Sequence, residues 1–501
     1  MGLPRAGRGG GLRHAGDGDA GPGGRGLVQP SGAQSIQRRP NPTDDVGMVP
    51  AGRGPPARGT PGTAGGCSHP GHRSPGHSRL GTRPRPGIAR GLRPGRRGAA
   101  CSLGRRPDRC RRTRARELSM PLRVDPGTAG AFLVRQQGLA AERRWGDARA
   151  AVEGLGYVQI DPIQVVERNH HLALQARVAR YQPPDLDRLL YGERSLIEAV
   201  TTVRCIVPTA LFPHFLPRFR ELEQRYRPGL KDFEPTFEAI ERAIGARGPM
   251  SSRCFDSRDK VQGWWDREGK AGTRAISQAL EWLWHFGRLI IHHRQGNLRF
   301  FDLTERVLPG ISAGTADDPD FLARAYFRAA GLASSTDPHL AWSRQPPGGR
   351  RKTIARLVDA GEIIPVFVGS LTDPYYLSAD LEGELRSPGD RDGGAVRFLP
   401  PLDNLIICRR RAGEIFNFQY RWEAYVPRER RTYGPYVMVI LHGGRLAGRF
   451  APRLDRLRQA LVVRGPWWEG QEVPNGFACA LEEWARFHGA RDIEFERADD
   501  R

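Results

Sequence analysis

Lysine is nearly missing from this chain. Lys231, Lys260, Lys270 and Lys352 are the only four in 501 residues, although lysine and arginine together number 78. Aromatic residues are absent from the first 131 positions, Phe132 being the first. Without them, and with Gly, Pro and Arg dominating, residues 1–119 cannot bury enough apolar surface to offset chain entropy, and they read as disordered. Cysteine is sparse too. Beyond position 120 only Cys205, Cys254, Cys408 and Cys479 occur, far apart and with no Cys-x-x-Cys pair, which argues against a disulfide framework or a zinc ribbon. No apolar run approaches bilayer length, so no membrane span is expected. These absences fit a soluble, cytoplasmic bacterial protein.

What is present is positive charge, unevenly spread. Residues 1–120 hold 23 Arg, no Lys and 6 acidic groups, a balance of +17, which leaves +6 of the overall +23 for the rest. Three readings of this tail compete: a basic nucleic-acid-binding arm, a targeting peptide, or a start assigned too early in an Arg- and Gly-rich frame. The abrupt change of composition at Met120 favours the last. Cys67, His69, His72 and His77 have metal-ligand chemistry but no surrounding fold, so no metal is expected.

The chain is organised around Gly156-Tyr157-Val158-Gln159-Ile160-Asp161-Pro162, followed by Arg168-Asn169-His170-His171. An alternating β-type run follows a helical pattern and ends at a proline that cannot extend a paired strand. Gln159 and Asp161, two apart, would share one face of that strand. On spacing alone, the commoner reading is a strand end whose Asp caps the next element.

The folded part opens with helical spacing over 127–155 and a stop at Gly156. Leu172 to Leu190 reads as short helices interrupted at Pro183-Pro184, and Ser195–Val200 and Thr209–Tyr226 read as further helix. Ile276, Leu280, Leu283 and Phe286 share a helical face closing at Gly287; Leu289–Ile291 and Leu298–Phe301 flank a Gln295-Gly296-Asn297 turn. Helix, strand, glycine turn and strand is the pattern of a winged helix. The join recurs at Gly361 before Ile363–Val368, and Gly156 is a third instance. Trp264, Trp265, Trp282 and Trp284 read as packing. From Arg397 the pattern turns to β, with Phe416, Phe418, Tyr420 and Trp422 alternating and a hairpin turn at His442-Gly443-Gly444-Arg445.

Gln159-Ile160-Asp161, His170-His171, the Arg194–Glu198 segment with Pro208 beyond, and the late tyrosine-rich segment resemble the winged-helix DNA glycosylases of the AlkZ/YcaQ family, in its Gln-apolar-Asp branch. Asp403, Glu423, Tyr425, Pro427, Arg430, Arg431, Tyr433, Gly434 and Tyr436 are similar to that family's C-terminal β-barrel signature; the acidic residue usual near Cys408 is missing. The resemblance runs from about Met120 almost to the C-terminus. It implies excision of alkylated purines and unhooking of interstrand crosslinks. Asp161 would be electrostatic stabiliser and general base, and Gln159 would hold the water or sugar. His170, His171, Arg168, Arg430 and Arg431 would contact DNA. Glu198 and Arg204 are also family-like, and read as structural. With no lysine near the motif, hydrolysis is favoured over a Schiff-base lyase.

The expected fold is therefore α+β: a tail over 1–119, winged-helix domains over 120–232, 233–312 and 313–395, and a β-barrel-like domain over 396–501. The expected partner is duplex DNA carrying alkylated purines or crosslinks, bound by a monomer with no cofactor. The competing reading is a non-enzymatic winged-helix DNA-binding regulator.

Overall fold

A computed structural model describes residues 121–496, apart from 264–265, 267–270, 311–317, 344, 388, 390–393 and 471. The arginine-rich tail with its Cys67 and His69 cluster, and Trp264 and Trp265, lie outside the described residues.

The chain enters through β1 (Leu122–Val124) and α1 (Pro126–Gln136). Asp125 caps α1 by accepting the Thr128 amide at 2.9 Å, with Pro126 at a first-turn position that needs no N–H donor. Next come α2 (Ala148–Leu155), β2 (Val158–Gln159), α3 (Asn169–Gln175), β3 (Leu196–Val200) and β4 (Arg204–Pro208). The strands form an antiparallel sheet of order β2-β4-β3. Ser195–Val200, expected as helix, is thus largely strand β3. All five of its residues are buried, and pairing with β4 satisfies a backbone that water cannot reach. Periodicity cannot separate a short buried apolar run from a helix.

Helices α4 (Phe212–Tyr226) and α5 (Glu234–Arg247) follow, then the short pair β5 (Lys260–Val261) and β6 (Thr273–Arg274). Helix α6 (Ala275–His285) leads into the hairpin β7 (Leu289–Gln295) and β8 (Leu298–Leu303), which turns at Gly296 with φ 60°. Trp282 and Trp284 are buried, as expected. After α7 (Phe321–Ala330), α8 (Pro347–Asp359) passes through Gly361 into β9 (Ile363–Val368) and β10 (Tyr375–Ser378). Strand β1 adds in parallel to the free edge of β9, so the first described residues complete a sheet made about 240 positions later. All three helix–glycine–strand joins are present, with Gly156, Gly287 and Gly361 each at positive φ. Gly156 is doubly constrained: it caps α2 at φ 71°, and a Cβ there would come within 2.5 Å of Trp342.

The C-terminal part comprises β11 (Val396–Leu399), α9 (Arg409–Phe416), β12 (Met438–His442), β13 (Arg445–Asp455), β14 (Ala460–Trp468), α10 (Phe477–Phe487) and β15 (Asp492–Phe495). The expected turn is there, with His442 opposite Arg445 and Gly443 and Gly444 at positive φ. The expected barrel is not. Among the described residues the five strands make an open sheet in sequential order, with β14 paired in parallel with β15 and no pairing between β15 and β11. Helix α10 covers the face instead, its Trp484 packing edge-on against Phe398 and Phe450. The alternating Phe416–Trp422 segment joins no ladder. Helix α9 ends at Asn417 in the left-handed region, and Tyr420 is held by its hydroxyl, which donates to Val437 O at 2.6 Å.

Candidate active site

The paired strand ends at Gln159, one residue shorter than the sequence pattern implies, although Ile160 N–H still donates to Arg204 O at 2.9 Å. Val158 and Glu198 both stand opposite Ile206, and Gln159 stands opposite Cys205. Successive residues therefore alternate: Ile160, Ile206 and Glu198 line a cleft, while Gln159 is on the other face. Asp161 lies just past the strand. Its Oδ1 accepts the Ile163 amide at 2.8 Å across Pro162, an Asx turn of the kind that the commoner reading anticipates. Among the described residues, Oδ2 accepts no hydrogen bond.

The motif is clamped by residues far along the chain. Asn169 donates from Nδ2 to Gln159 O at 2.9 Å and accepts the Leu402 amide at 3.2 Å; Asn404 donates to Tyr157 O at 2.9 Å. Beside them Arg177 and Asp403 form a fully buried bidentate pair at 2.6 and 2.8 Å. Leu454 N–H and Arg456 Nη2 donate to Val165 O and Val166 O, at 3.2 and 2.6 Å, tying the loop after Asp161 to β13. Removing one partner from such a buried network is costly, and the network fixes the position of the motif.

Gln159 and Asp161 are each only 6 % exposed. Burial pushes the Asp161 carboxyl up to about 6, against the Ile163 amide and the more distant charge of Arg204, both of which lower it. Arg204 donates from Nη2 to Glu281 at 3.0 Å, while its Nε is buried without a partner. The Gln159 amide oxygen is buried without a hydrogen-bond partner. Tyr425 and Tyr436, from the C-terminal part, are both raised first by burial and next by the charge of Asp161.

The cleft on the other face has a volume of about 450 Å³ and includes Gln164, Glu167, Arg168, His170, His171 and Arg294 in its lining. The two histidine rings pack at a tilt of 43° with their centres 4.3 Å apart. Burial holds His170 well below the ordinary histidine range and His171 down at about 4, with Arg168 adding to both, so both rings are neutral at physiological pH. His170 Nδ1 is buried without a partner, whereas His171 Nδ1 meets the Tyr181 hydroxyl at 2.6 Å. Arg168 donates to Asn297 in the β7–β8 turn at 2.6 Å. Glu198 is held by Arg294 at 2.5 and 2.7 Å and by Tyr191 at 2.6 Å. Arg168, His170 and His171 are thus brought together in a cleft that neither Gln159 nor Asp161 lines. Arg430 is exposed on the loop that carries Tyr425; Arg431 folds back, donating to Val426 O at 2.7 Å and Ala424 O at 3.4 Å. Among the described residues no group of three or more His, Cys, Asp or Glu side chains is arranged to hold a metal, and no helix is long and apolar enough to cross a membrane.

The contributions of Asn169, Asn404 and the Arg177–Asp403 pair were not anticipated as a clamp. Asn169 sits inside the motif, but nothing local reveals a partner 233 positions away. Proximity of Tyr436 to Asp161 likewise leaves no local trace.

A mixed α+β chain with a buried Gln and a carboxylate of raised pKa beside a polar cleft defines a candidate hydrolytic site. Residues 152–487 match the family model for DNA glycosylase AlkZ-like proteins. The structure resembles Streptomyces sahachiroi DNA glycosylase AlkZ with a TM-score of 0.51 and 18 % identity, over 75 % of this chain and 100 % of that one. At such identity the likeness speaks for the fold alone. The family model spans most of the chain, and the chain belongs to the AlkZ-like DNA glycosylase family.

Proposed function

We propose that the protein hydrolyses the N-glycosidic bond of N-alkylated purines in duplex DNA, and unhooks interstrand crosslinks made through such purines. Family membership supports action as a DNA glycosylase; the observation that carries the finer reading is Asp161. Its buried carboxylate, poised near 6, is ionised at neutral pH yet basic enough to accept a proton.

An N7- or N3-alkylated purine is already cationic and leaves without protonation. As the C1′–N bond breaks, the Asp161 carboxylate stabilises positive charge on the sugar, more effectively in a buried site than in water. Water then forms the new C1′–O bond and gives its proton to Asp161, which passes it to solvent. The products are the released base and an abasic sugar. Gln159, whose buried amide oxygen lacks a partner, supports the water or sugar. No lysine lies near Gln159 and Asp161 in the sequence, which supports a monofunctional reaction with water as nucleophile.

In this reading the three helix–strand units, within 120–232, 233–312 and 313–395, are winged helices, and 396–501 forms the fourth domain. Arg168, His170, His171, Arg430 and Arg431 lie along bound DNA, the neutral histidines by hydrogen bonding and the arginines by charge. The protein works as a monomer on DNA in the cytoplasm, without a cofactor. The test is base release from duplex DNA carrying N7-alkylguanine, comparing the full chain with Asp161→Asn. Release by the first and not the second, with DNA binding kept in both, supports the proposal; equal release by both removes Asp161 from the mechanism. No release by either would leave a DNA-binding protein with no such activity.

A further inference from the structure

Three polar groups around the start of the motif loop lack hydrogen-bond partners among the described residues. The Gln159 amide oxygen is buried and unpaired, Asp161 Oδ2 accepts nothing among the described residues, and the Tyr436 hydroxyl is buried and unpaired as well. Tyr436 is 3 % exposed and belongs to the same core cluster as Val166, with Ile163 and Val165 packed against it. Tyr436 thus shares one core with the loop that immediately follows Asp161. A buried hydroxyl with no partner costs stability, on the order of 1–3 kcal/mol, and such a group calls for a functional explanation.

We infer that Tyr436 is a positioning residue for the hydrolysis: when DNA closes the site, its hydroxyl donates to the Asp161 carboxylate and aims it at the water. This rests on the reading of Asp161 as general base. The Ile163 amide already occupies Oδ1, so a second donor on Oδ2 would fix the carboxylate plane and leave lone pairs on both oxygens for the water proton. Catalytic hydrogen bonds are commonly unformed before substrate binds. The other charged or titratable groups about Asp161 do not take this place. Arg204 turns its Nη2 to Glu281 and makes no hydrogen bond to Asp161, and Tyr425 is 46 % exposed with its ring edge-on to Trp422. Around Tyr436, Asp161 precedes Tyr420 and Glu167 among the charges that raise its hydroxyl. Tyr420 donates to Val437 O, and Glu167 accepts from Gln164.

The experiment is single-turnover base release by Tyr436→Phe from N7-alkylguanine duplex DNA across pH 5 to 8, with Tyr420→Phe and Asp161→Asn in parallel. Because Tyr436→Phe removes an unpaired hydroxyl and keeps the ring, its melting temperature should hold or rise. Its rate at pH 7.5 should nevertheless fall on the order of 10- to 100-fold with KM for DNA unchanged. Its acid limb should move to higher pH, since the carboxylate loses a donor that favours its charged form. Tyr420→Phe, which loses a structural bond, should melt earlier and keep the wild-type limb. A Tyr436→Phe enzyme with wild-type rate and limb, while Asp161→Asn is inactive, would overturn the role of Tyr436 alone. Release retained by Asp161→Asn would overturn the reading beneath it.

Discussion

Asp161 makes opposite demands on stability and on catalysis, and both can be measured with one substitution. Burial raises its carboxyl from 3.8 to about 6. Between these values the folded state holds a proton that the unfolded state has released, so stability falls as pH rises from about 4 to about 6 and stays at the lower level above that. The shift corresponds to roughly 3 kcal/mol at neutral pH. Asp161→Asn abolishes this penalty while its amide oxygen can still accept the Ile163 N–H. The variant should thus be more stable than the wild type by up to ~3 kcal/mol at pH 7.5 and equal to it near pH 4. Catalysis should run the other way. With a pKa of about 6, the ionised fraction at pH 5 is roughly a tenth, so wild-type base release should drop about tenfold between pH 7.5 and pH 5. The variant should release no base at either pH. Urea unfolding at the two pH values gives the first quantity; alkali-cleavable abasic sites on an end-labelled duplex give the second. An acid limb near pH 4, or an Asp161→Asn protein less stable at pH 7.5, would refute the reasoning.

The remaining predictions are local. Gln159→Leu removes an amide whose buried oxygen is unpaired and should leave the melting temperature nearly unchanged, while single-turnover release falls by ~100-fold, in the range of a lost active-site polar group. Gly156→Ala forces a Cβ into left-handed backbone and against Trp342; denaturant melts should register a loss of roughly 3 kcal/mol or more. Arg168→Ala should reduce the slope of log K against log salt for DNA binding by about 1, as expected for a lost phosphate contact. His171→Ala should weaken binding without changing that slope, because the buried imidazole carries no charge at neutral pH.

What the amino-acid order determines by itself is whatever rests on neighbours in the chain. The stops at Gly156, Gly287 and Gly361 are legible because left-handed backbone admits glycine most readily. The Gly296 and Gly443-Gly444 turns are legible for the same reason, and the Gln159-Ile160-Asp161 run stands out through its alternation and its proline. Tertiary structure decided the rest, where the cause lies far away in sequence. Leu196–Val200 is a strand because β4 offers it a ladder, not because its residues demand one. The C-terminal sheet stays open because β15 adds in parallel and α10 covers its face. His170 and His171 read as part of a basic segment until burial makes them neutral. Asp161 has its raised pKa for the same reason: desolvation depends on everything packed around a group, and that packing is assembled by Asn169, Asn404 and Tyr436 only when the distant parts of the chain meet.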